Sequence, residues 1–454
     1  MSKKMTLELF FGIPPVETIR ITSLTKEFLG RGINSKGQNL DFPYLLIGDE
    51  VQIEPVKRRP KSRSHKTIEI QRNTEWSDVR CEYFGECGGC VGQHLNYKTQ
   101  LNLKFSPIQK LYLDHFGIEL QEAPAQQIYE YRTRMDFSIF PGPKIGLRQR
   151  GNFRRIVSIE DCKIQSVKSN ETLRETWALL REIPTIIWDR YAEDGGLKYV
   201  TIRKAQNTDE ELLIFTFTEG YQSNELHSQL ISLVAKMISC PNIVFCYNRK
   251  KSEVSCQGEL FVVRGKSSYR EHLFGRDFEI PFDSFFQPNP NGFLPILAFI
   301  QDYLADTTDS LIDLFCGSGF FSKLFGGGKQ KIYGYEVTPS SIAEANLFFS
   351  KNFPNRETHF SVQNLFQNVE GLPKLKNGSL ILDPPRSGAG ALVCEWLKNE
   401  GPLEVFYVSC NPYSQWEDLK VILLSYDLID GVITDPYPHT PHIETVVYLR
   451  RKTE

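Results

Sequence analysis

The sequence has 454 residues, too many for one ordinary core, which predicts two or three domains. Hydrophobic content of 41% and charged content of 24% are those of a globular chain, and no window holds the ~18 apolar residues a membrane span needs. A formal net charge of −2 excludes attraction of nucleic acid by the chain as a whole, so any such contact has to be local.

The N-terminal stretch MSKKMTLELFFGIPP lacks the long apolar core and small-residue cleavage site of a secretory signal, so a cytoplasmic protein without a membrane role is expected. From Glu17 to Gln71 the chain reads as short strands: ETIRITSLT, a turn at Gly30 and Gly32, a polar NSKGQN hairpin, LIGDEVQIEPV and TIEIQ. Short strands with glycine turns predict a small β-barrel of OB-like size over residues 10–72. Between its last two strands runs KRRPKSRSHK, a cation run that is either a solvated loop or a phosphate contact.

CEYFGECGGC follows and places Cys81, Cys87 and Cys90 in a C-x5-C-x2-C pattern. In a long chain without a secretory signal, three thiols so crowded point to metal binding, and a tetrahedral site needs a fourth ligand. NYKTQLNLKFSPIQKLYLDHF has apolar positions at three- and four-residue spacing and predicts a helix. The strand-like segments MDFSIF, KYVTIRKA, ELLIFTFT, NIVFCYN and ELFVVRG then predict a middle α+β domain, residues 73–275, with a second basic patch, RQRGNFRR, at 148–155.

Beyond about Asp283 apolar strands alternate with helical segments: SLIDLFCGSG, KIYGYEV, THFSVQN, GSLILDPPR, EVFYVSCNP and TVVYLRR. That alternation predicts an α/β, Rossmann-like parallel sheet over residues 276–454. LIDLFCGSGFFS is a strand entering a Gly317-Ser318-Gly319 turn, and the next strand ends in Glu336, roughly twenty residues after Asp313, where a carboxylate can accept from a ribose diol. The turn lacks a third glycine and a GK[ST] ending, which favours a nucleoside ligand without phosphates, such as S-adenosylmethionine. Two prolines after Asp383 hold it at a strand end, and the following strand ends in Cys410, on the same expected rim. A lone buried cysteine is usually inert; this one shares its rim with an aspartate and the cofactor turn.

DLFCGSGFF, DPPRSG, SCNP and HIE in this order, with FFQPN at residues 285–289 and the upstream cysteines, closely resemble the RNA 5-methyluridine methyltransferases. Arg386 after the double proline speaks against the exocyclic-amine methyltransferases, which carry an aromatic residue there. The resemblance implies methyl transfer from S-adenosyl-L-methionine to C5 of a uridine in RNA, with Cys410 as nucleophile toward C6 and Glu444 as the base that removes the C5 proton. Thiolate addition to C6 is what turns C5 of uracil into a nucleophile. It further implies that Gln287, Phe315, Glu336, Asn364 and Asp383 line the cofactor and uracil sites, and that Cys162 joins Cys81, Cys87 and Cys90 around a [4Fe–4S] cluster, with zinc the alternative metal. Phe320 stands where the family often has asparagine, so no polar group is available to the cofactor at that position.

The N-terminal segment resembles the TRAM domain, an RNA-binding barrel. Barrel and cluster together imply 23S ribosomal RNA as substrate, with transfer RNA the alternative and no obligate protein partner. A 5-methylcytosine enzyme and a catalytically dead RNA-binding module are the competing readings; intact Cys410, Asp383 and Glu444 weigh against the dead module, and the SCNP–HIE pairing weighs against the 5-methylcytosine enzymes, which place their catalytic cysteine differently.

Overall fold

The computed structural model describes residues 16–55, 65–304 and 308–453. They fall into two compact units: the first runs through Gly85 and adds Gly89–Pro107 and His439–Pro441, and the second holds Glu86–Gly88, Ile108–Pro438 and His442 onward. No described helix is long and apolar enough to cross a membrane.

In the first unit β1 (Glu17–Leu24), β2 (Leu29–Ile33), β3 (Asn39–Pro43), β4 (Glu50–Pro55) and β5 (His65–Gln71) form one antiparallel sheet in the order β3-β2-β1-β4-β5. Period-two alternation drives it: Ile19 and Ile21 are buried between exposed Thr18, Arg20 and Thr22, and pack with Phe42, Leu45, Val51 and Ile53. Where a small barrel is expected, the described residues form this five-stranded sheet, with no ladder joining its edge strands β3 and β5. Gly30 and Gly32 lie inside β2 rather than in a turn. A Cβ on Gly32 would run into Ile19 Cγ2 and, at 2.6 Å, the Arg20 carbonyl, so the glycine permits close approach to β1. Of the cation run, Lys57 to Ser64 lie outside the described residues. The predicted helix appears as α1 (Tyr97–Phe116), with Pro107 inside it.

The second unit contains two large sheets. After β6 (Gln121–Ala123), the first is built from β7 (Arg134–Phe140), β8 (Lys144–Gln149), β9 (Asn152–Ser158), β10 (Leu197–Lys204), β11 (Glu211–Thr218), β12 (Asn242–Asn248) and β13 (Glu259–Arg264), in the order β13-β12-β11-β10-β7-β8-β9. Helix α2 (Val167–Glu182) follows β9, and α3 (Leu226–Met237) makes the crossover between β11 and β12, which are parallel. The five expected strands are present as β7, β10, β11, β12 and β13; the hairpin β8–β9, which carries the 148–155 basic patch, is additional. A short hairpin, β14 (Ser268–Leu273) and β15 (Arg276–Pro281), and helix α4 (Leu294–Tyr303) lead on.

The second sheet is formed by β16 (Ser310–Leu314), β17 (Lys331–Glu336), β18 (Glu357–Val362), β19 (Gly378–Leu382), β20 (Glu404–Ser409), β21 (Tyr426–Thr434) and β22 (Glu444–Arg451), with β6 added at one edge. Its order is β18-β17-β16-β19-β20-β22-β21-β6, parallel from β18 to β20, with β22 antiparallel between β20 and β21. Helices α5 (Phe320–Phe325), α6 (Pro339–Asn352), α7 (Ala391–Glu400) and α8 (Pro412–Ile422) connect its strands. Strand order reverses between β16 and β19, the point where an open α/β sheet leaves a crevice beyond its carboxyl ends. One apolar core within this unit runs from Ile214 and Val244 through Phe278 and Ile300 to Ile381 and Phe406.

Candidate active site

At the end of β16 the backbone turns sharply. Phe315 has φ +62°, a left-handed conformation unusual for a residue with a side chain, and Gly317 and Gly319 follow at +54° and +83°. Asp313 holds the turn from below: its Oδ2 accepts from the Ser322 backbone N–H at 3.0 Å and the Ser322 hydroxyl at 2.7 Å, at the start of α5. Full burial raises the Asp313 carboxyl to about 7. At the end of β17, Glu336 Oε1 accepts from the backbone N–H and hydroxyl of Thr338, both at 2.9 Å, and Oε2 faces the Gly317 N–H at 3.4 Å. This fixed carboxylate keeps lone pairs for a diol. Phe315 and Phe366 rings lie 5.5 Å apart. A glycine turn, an aromatic face and a carboxylate at this rim fit a nucleoside such as that of S-adenosylmethionine.

One cavity of about 550 Å³ joins this turn to the ends of β19, β20 and β22. Phe315, Glu336, Asp383, Cys410, Glu444 and Gln287 all line it. Two loops are tied together below it: the Arg386 carbonyl accepts from the Asn411 side-chain amide at 2.9 Å and from the Ser414 hydroxyl at 3.2 Å, joining DPPR to SCNP. Arg386 Nη2 lies 3.4 Å from His442 Nδ1.

The electrostatics set three acids against one cation. Burial, then the nearby Glu444 and Asp383, push the Cys410 thiol up to about 11, while Arg386 opposes the rise. Burial and Asp383 hold the Glu444 carboxyl well above the usual range, again against Arg386. Burial and Asp313 raise Asp383 to about 7. Tyr437, also lining the cavity, is kept neutral by burial and by Glu444. Such clustered shifts suit a site that handles protons and charge.

Gln287 is buried at the cavity wall on a segment fixed from several sides. Thr133 N–H donates to the Pro288 carbonyl at 2.8 Å, Asn289 donates to the Pro436 carbonyl at 2.6 Å, and Arg203 donates to the carbonyls of Pro281 and Ser284. Phe320 lines the same cavity within a ring cluster, 5.5 Å from Phe278, 5.6 Å from Phe286 and 5.1 Å from Phe321. An aromatic wall thus stands where the family often places an amide. Asn364 is the exception among the expected site residues: it does not line the cavity. Its Oδ1 caps the Phe366 N–H at 3.1 Å, so it positions the ring that faces Phe315. Tyr437 and His442 line the cavity and escaped the sequence reading, although both sit in DPYPHTPHIE beside Glu444.

The four cysteines of the expected cluster are present as thiols, outside any disulfide. Cys81 and Cys90 belong to the first unit, Cys87 and Cys162 to the second. Cys87 bridges to Gln149 at the end of β8, and Cys162 sits in a turn closed by Asn170, whose Oδ1 accepts from its N–H at 2.8 Å. No group of three or more His, Cys, Asp or Glu side chains able to hold a metal ion forms among the described residues, so the convergence that the resemblance implies is not seen there.

Comparison with known proteins agrees with this geometry. The tRNA (uracil-5-)-methyltransferase family matches residues 270–452. An uncharacterised RNA methyltransferase of Leptospira interrogans is 40% identical over 95% of this chain and 98% of its own length. The tRNA (uracil(54)-C(5))-methyltransferase of Pyrococcus abyssi is 29% identical over 90% of this chain and 95% of its own. The crystal structure of the P. abyssi enzyme with S-adenosyl-L-homocysteine superimposes with a TM-score of 0.74 at 26% identity, covering 95% of this chain and 99% of that one.

Proposed function

This chain belongs to the RNA uracil-C5 methyltransferase family and is an S-adenosylmethionine-dependent enzyme, and we propose that it works through a covalent adduct between Cys410 and C6 of the target uridine. The observation that carries this reading is the shared cavity: nucleophile, carboxylates and glycine turn open onto one space. The bound cofactor supplies an electrophilic methyl group on a sulfonium. Cys410, as thiolate, adds to C6 and sends the ring electrons to C5 and O4. C5 then takes the methyl group as its bond to sulfur breaks, the electron pair staying on the sulfur of the S-adenosyl-L-homocysteine left behind. Glu444, in the ionised form that Arg386 favours, removes the C5 proton; the electrons of that C–H bond re-form C5=C6 and expel Cys410. Arg386 favours the ionised form of both groups. Gln287 offers its amide to the polar edge of the base, and Glu336, Phe315 and, through Phe366, Asn364 shape the nucleoside pocket.

For the substrate, transfer RNA is the first reading. The expectation of 23S ribosomal RNA rested on a barrel and a cysteine cluster occurring together, but an enzyme named for position 54 of tRNA is matched by this chain over nearly its whole length. The family resemblance carried by Cys81, Cys87, Cys90 and Cys162, and not a convergence of their thiols, supports a [4Fe–4S] cluster of structural role; the transfer needs no one-electron oxidation or reduction, so no step depends on it. The five-stranded N-terminal sheet supports a TRAM-like RNA-binding module. Mapping 5-methyluridine by mass spectrometry in tRNA and rRNA from a deletion strain, with and without the restored gene, tests the activity and names the RNA. Unchanged 5-methyluridine in both would overturn the reading.

A further inference from the structure

The geometry points to a second RNA-contacting site, remote in sequence from the chemistry: a basic, aromatic-lined groove on the seven-stranded sheet of the second unit that holds a single-stranded segment of the substrate. This rests on the RNA-methylating reading above. The groove encloses about 840 Å³. Five cations line it, Arg148, Arg154, Arg190, Lys198 and Lys250, against two carboxylates, Asp189 and Glu253. Lys250 also lies 3.8 Å from Glu193, and in a chain whose formal charge is −2 the local excess of positive charge that remains suits a polyanion.

Its two carboxylates are already engaged within the protein. Asp189 Oδ1 accepts from the backbone N–H groups of Tyr191 and Ala192 and closes a turn. Glu253 gathers the Arg190 guanidinium at 2.9 Å, that of Arg148 at 3.3 Å and the Tyr199 hydroxyl at 3.1 Å. Each guanidinium has five donors in a planar fork, so pairing with Glu253 sets their direction while leaving donors for phosphate oxygens. Lys198, buried at the base, donates to the carbonyls of Arg249 and Ser252 and to the Asn248 amide oxygen, so it fixes the loop that carries Lys250 and Glu253. Arg154 is exposed at the lip and makes no ion pair among the described residues.

Aromatic rings distinguish this groove from a merely solvated charge patch. Tyr191 is 94% exposed, a large ring with nothing over its faces. Trp188 also lines the groove, with Lys250 5.5 Å from its ring, and Arg148 lies 5.6 Å from the Phe140 ring. Cations that follow a backbone and an open π-face such as that of Tyr191, free to stack on a base, are the combination that binds single strands, whereas a duplex hides its base faces. The groove draws on β7, β8, β9, β10, the 188–191 turn and the 249–253 loop, so the basic patch RQRGNFRR supplies only part of it.

The test uses the full-length protein and a labelled single-stranded oligoribonucleotide, its duplex and a tRNA transcript. The triple variant Arg154→Ala, Arg190→Ala, Lys250→Ala is expected to bind tRNA at least tenfold more weakly. Its slope of log affinity against log salt should flatten by about 0.7 for each phosphate no longer neutralised. Tyr191→Ala is expected to weaken single-strand binding while leaving that slope alone. Unaltered S-adenosylhomocysteine affinity shows that each variant is folded. An unchanged slope and affinity in the triple variant would overturn the proposal, as would a duplex binding as tightly as the single strand, or polyglutamate displacing RNA at equal charge. Failure of the wild type to methylate any RNA would instead count against the enzymatic reading, because these titrations measure binding alone.

Discussion

Cys410 and Glu444 occupy the next step of the β20–β22 ladder beyond its last pair, Ser409 and Thr445. Side chains alternate faces along a strand. Thr445 donates to Gln415 behind the sheet, and its neighbour Glu444 faces the cavity, as Cys410 does from the opposite strand. An antiparallel register therefore brings a nucleophile and a carboxylate, thirty-four residues apart in the chain, to one wall.

That placement gives the two side chains separable roles. Cys410→Ala should abolish 5-methyluridine formation and also the denaturant-stable complex with 5-fluorouridine RNA, in which fluorine at C5 blocks the final elimination. A gel-shift under denaturing conditions reads the complex directly. Turnover at the wild-type rate by this variant would sink the covalent mechanism.

Glu444→Gln should accumulate the complex that Cys410→Ala cannot form. The amide cannot take the C5 proton, so release should slow by about 10²–10⁴-fold, the usual worth of a positioned acid–base group. Addition itself should be no slower, because the wild-type carboxylate raises the Cys410 thiol. Single-turnover kinetics with labelled RNA separates the steps; a variant that forms no adduct makes Glu444 a binding residue.

The pH dependence follows from the same charges. With the Cys410 thiol pushed up to about 11, the thiolate fraction in the free enzyme rises nearly tenfold per pH unit from 7 to 10. Iodoacetamide labelling of Cys410, followed by peptide mass spectrometry, should track it. Arg386 opposes the rise, so Arg386→Gln lifts the thiol further and should slow labelling at pH 8 by about threefold or more. Equal rates would mean that the guanidinium acts on the RNA instead.

The metal prediction is independent of the chemistry. Anaerobically purified protein should be brown and hold about four iron and four sulfide per chain, and serine at Cys81, Cys87, Cys90 or Cys162 should bleach it. Stoichiometric zinc without iron would refute the assignment.

Phe320→Asn tests the aromatic wall. Removing the ring from its packing with Phe278, Phe286 and Phe321 should cost about 1–3 kcal/mol in denaturant unfolding. The new amide should not weaken S-adenosylhomocysteine binding in calorimetry. A weakened affinity would show that the ring itself touches the cofactor.

The amino-acid sequence by itself determined the parallel strands and what stands at their ends. Apolar runs in SLIDL, GSLIL and EVFYVS are long enough for buried strands, and the glycines, prolines and asparagine that break them leave Phe315, Asp383 and Cys410 at their tips. Strand β21 and the hairpin β8–β9 were not legible, since Asp430 and Gly431 interrupt the apolar run of YDLIDGVIT beside a register shift, and RQRGNFRR carries too many polar residues to read as a strand without its neighbours. Only the tertiary structure decided that β22 inserts antiparallel beside β20, which sets Glu444 across from Cys410 and Arg386 within reach of His442. It also decided that Asn364 supports Phe366 instead of lining the cavity, and that Phe320 joins a ring cluster. Local propensity and hydrophobic period are written along the chain, whereas register, enclosure and the pKa shifts that enclosure causes depend on groups far apart in it.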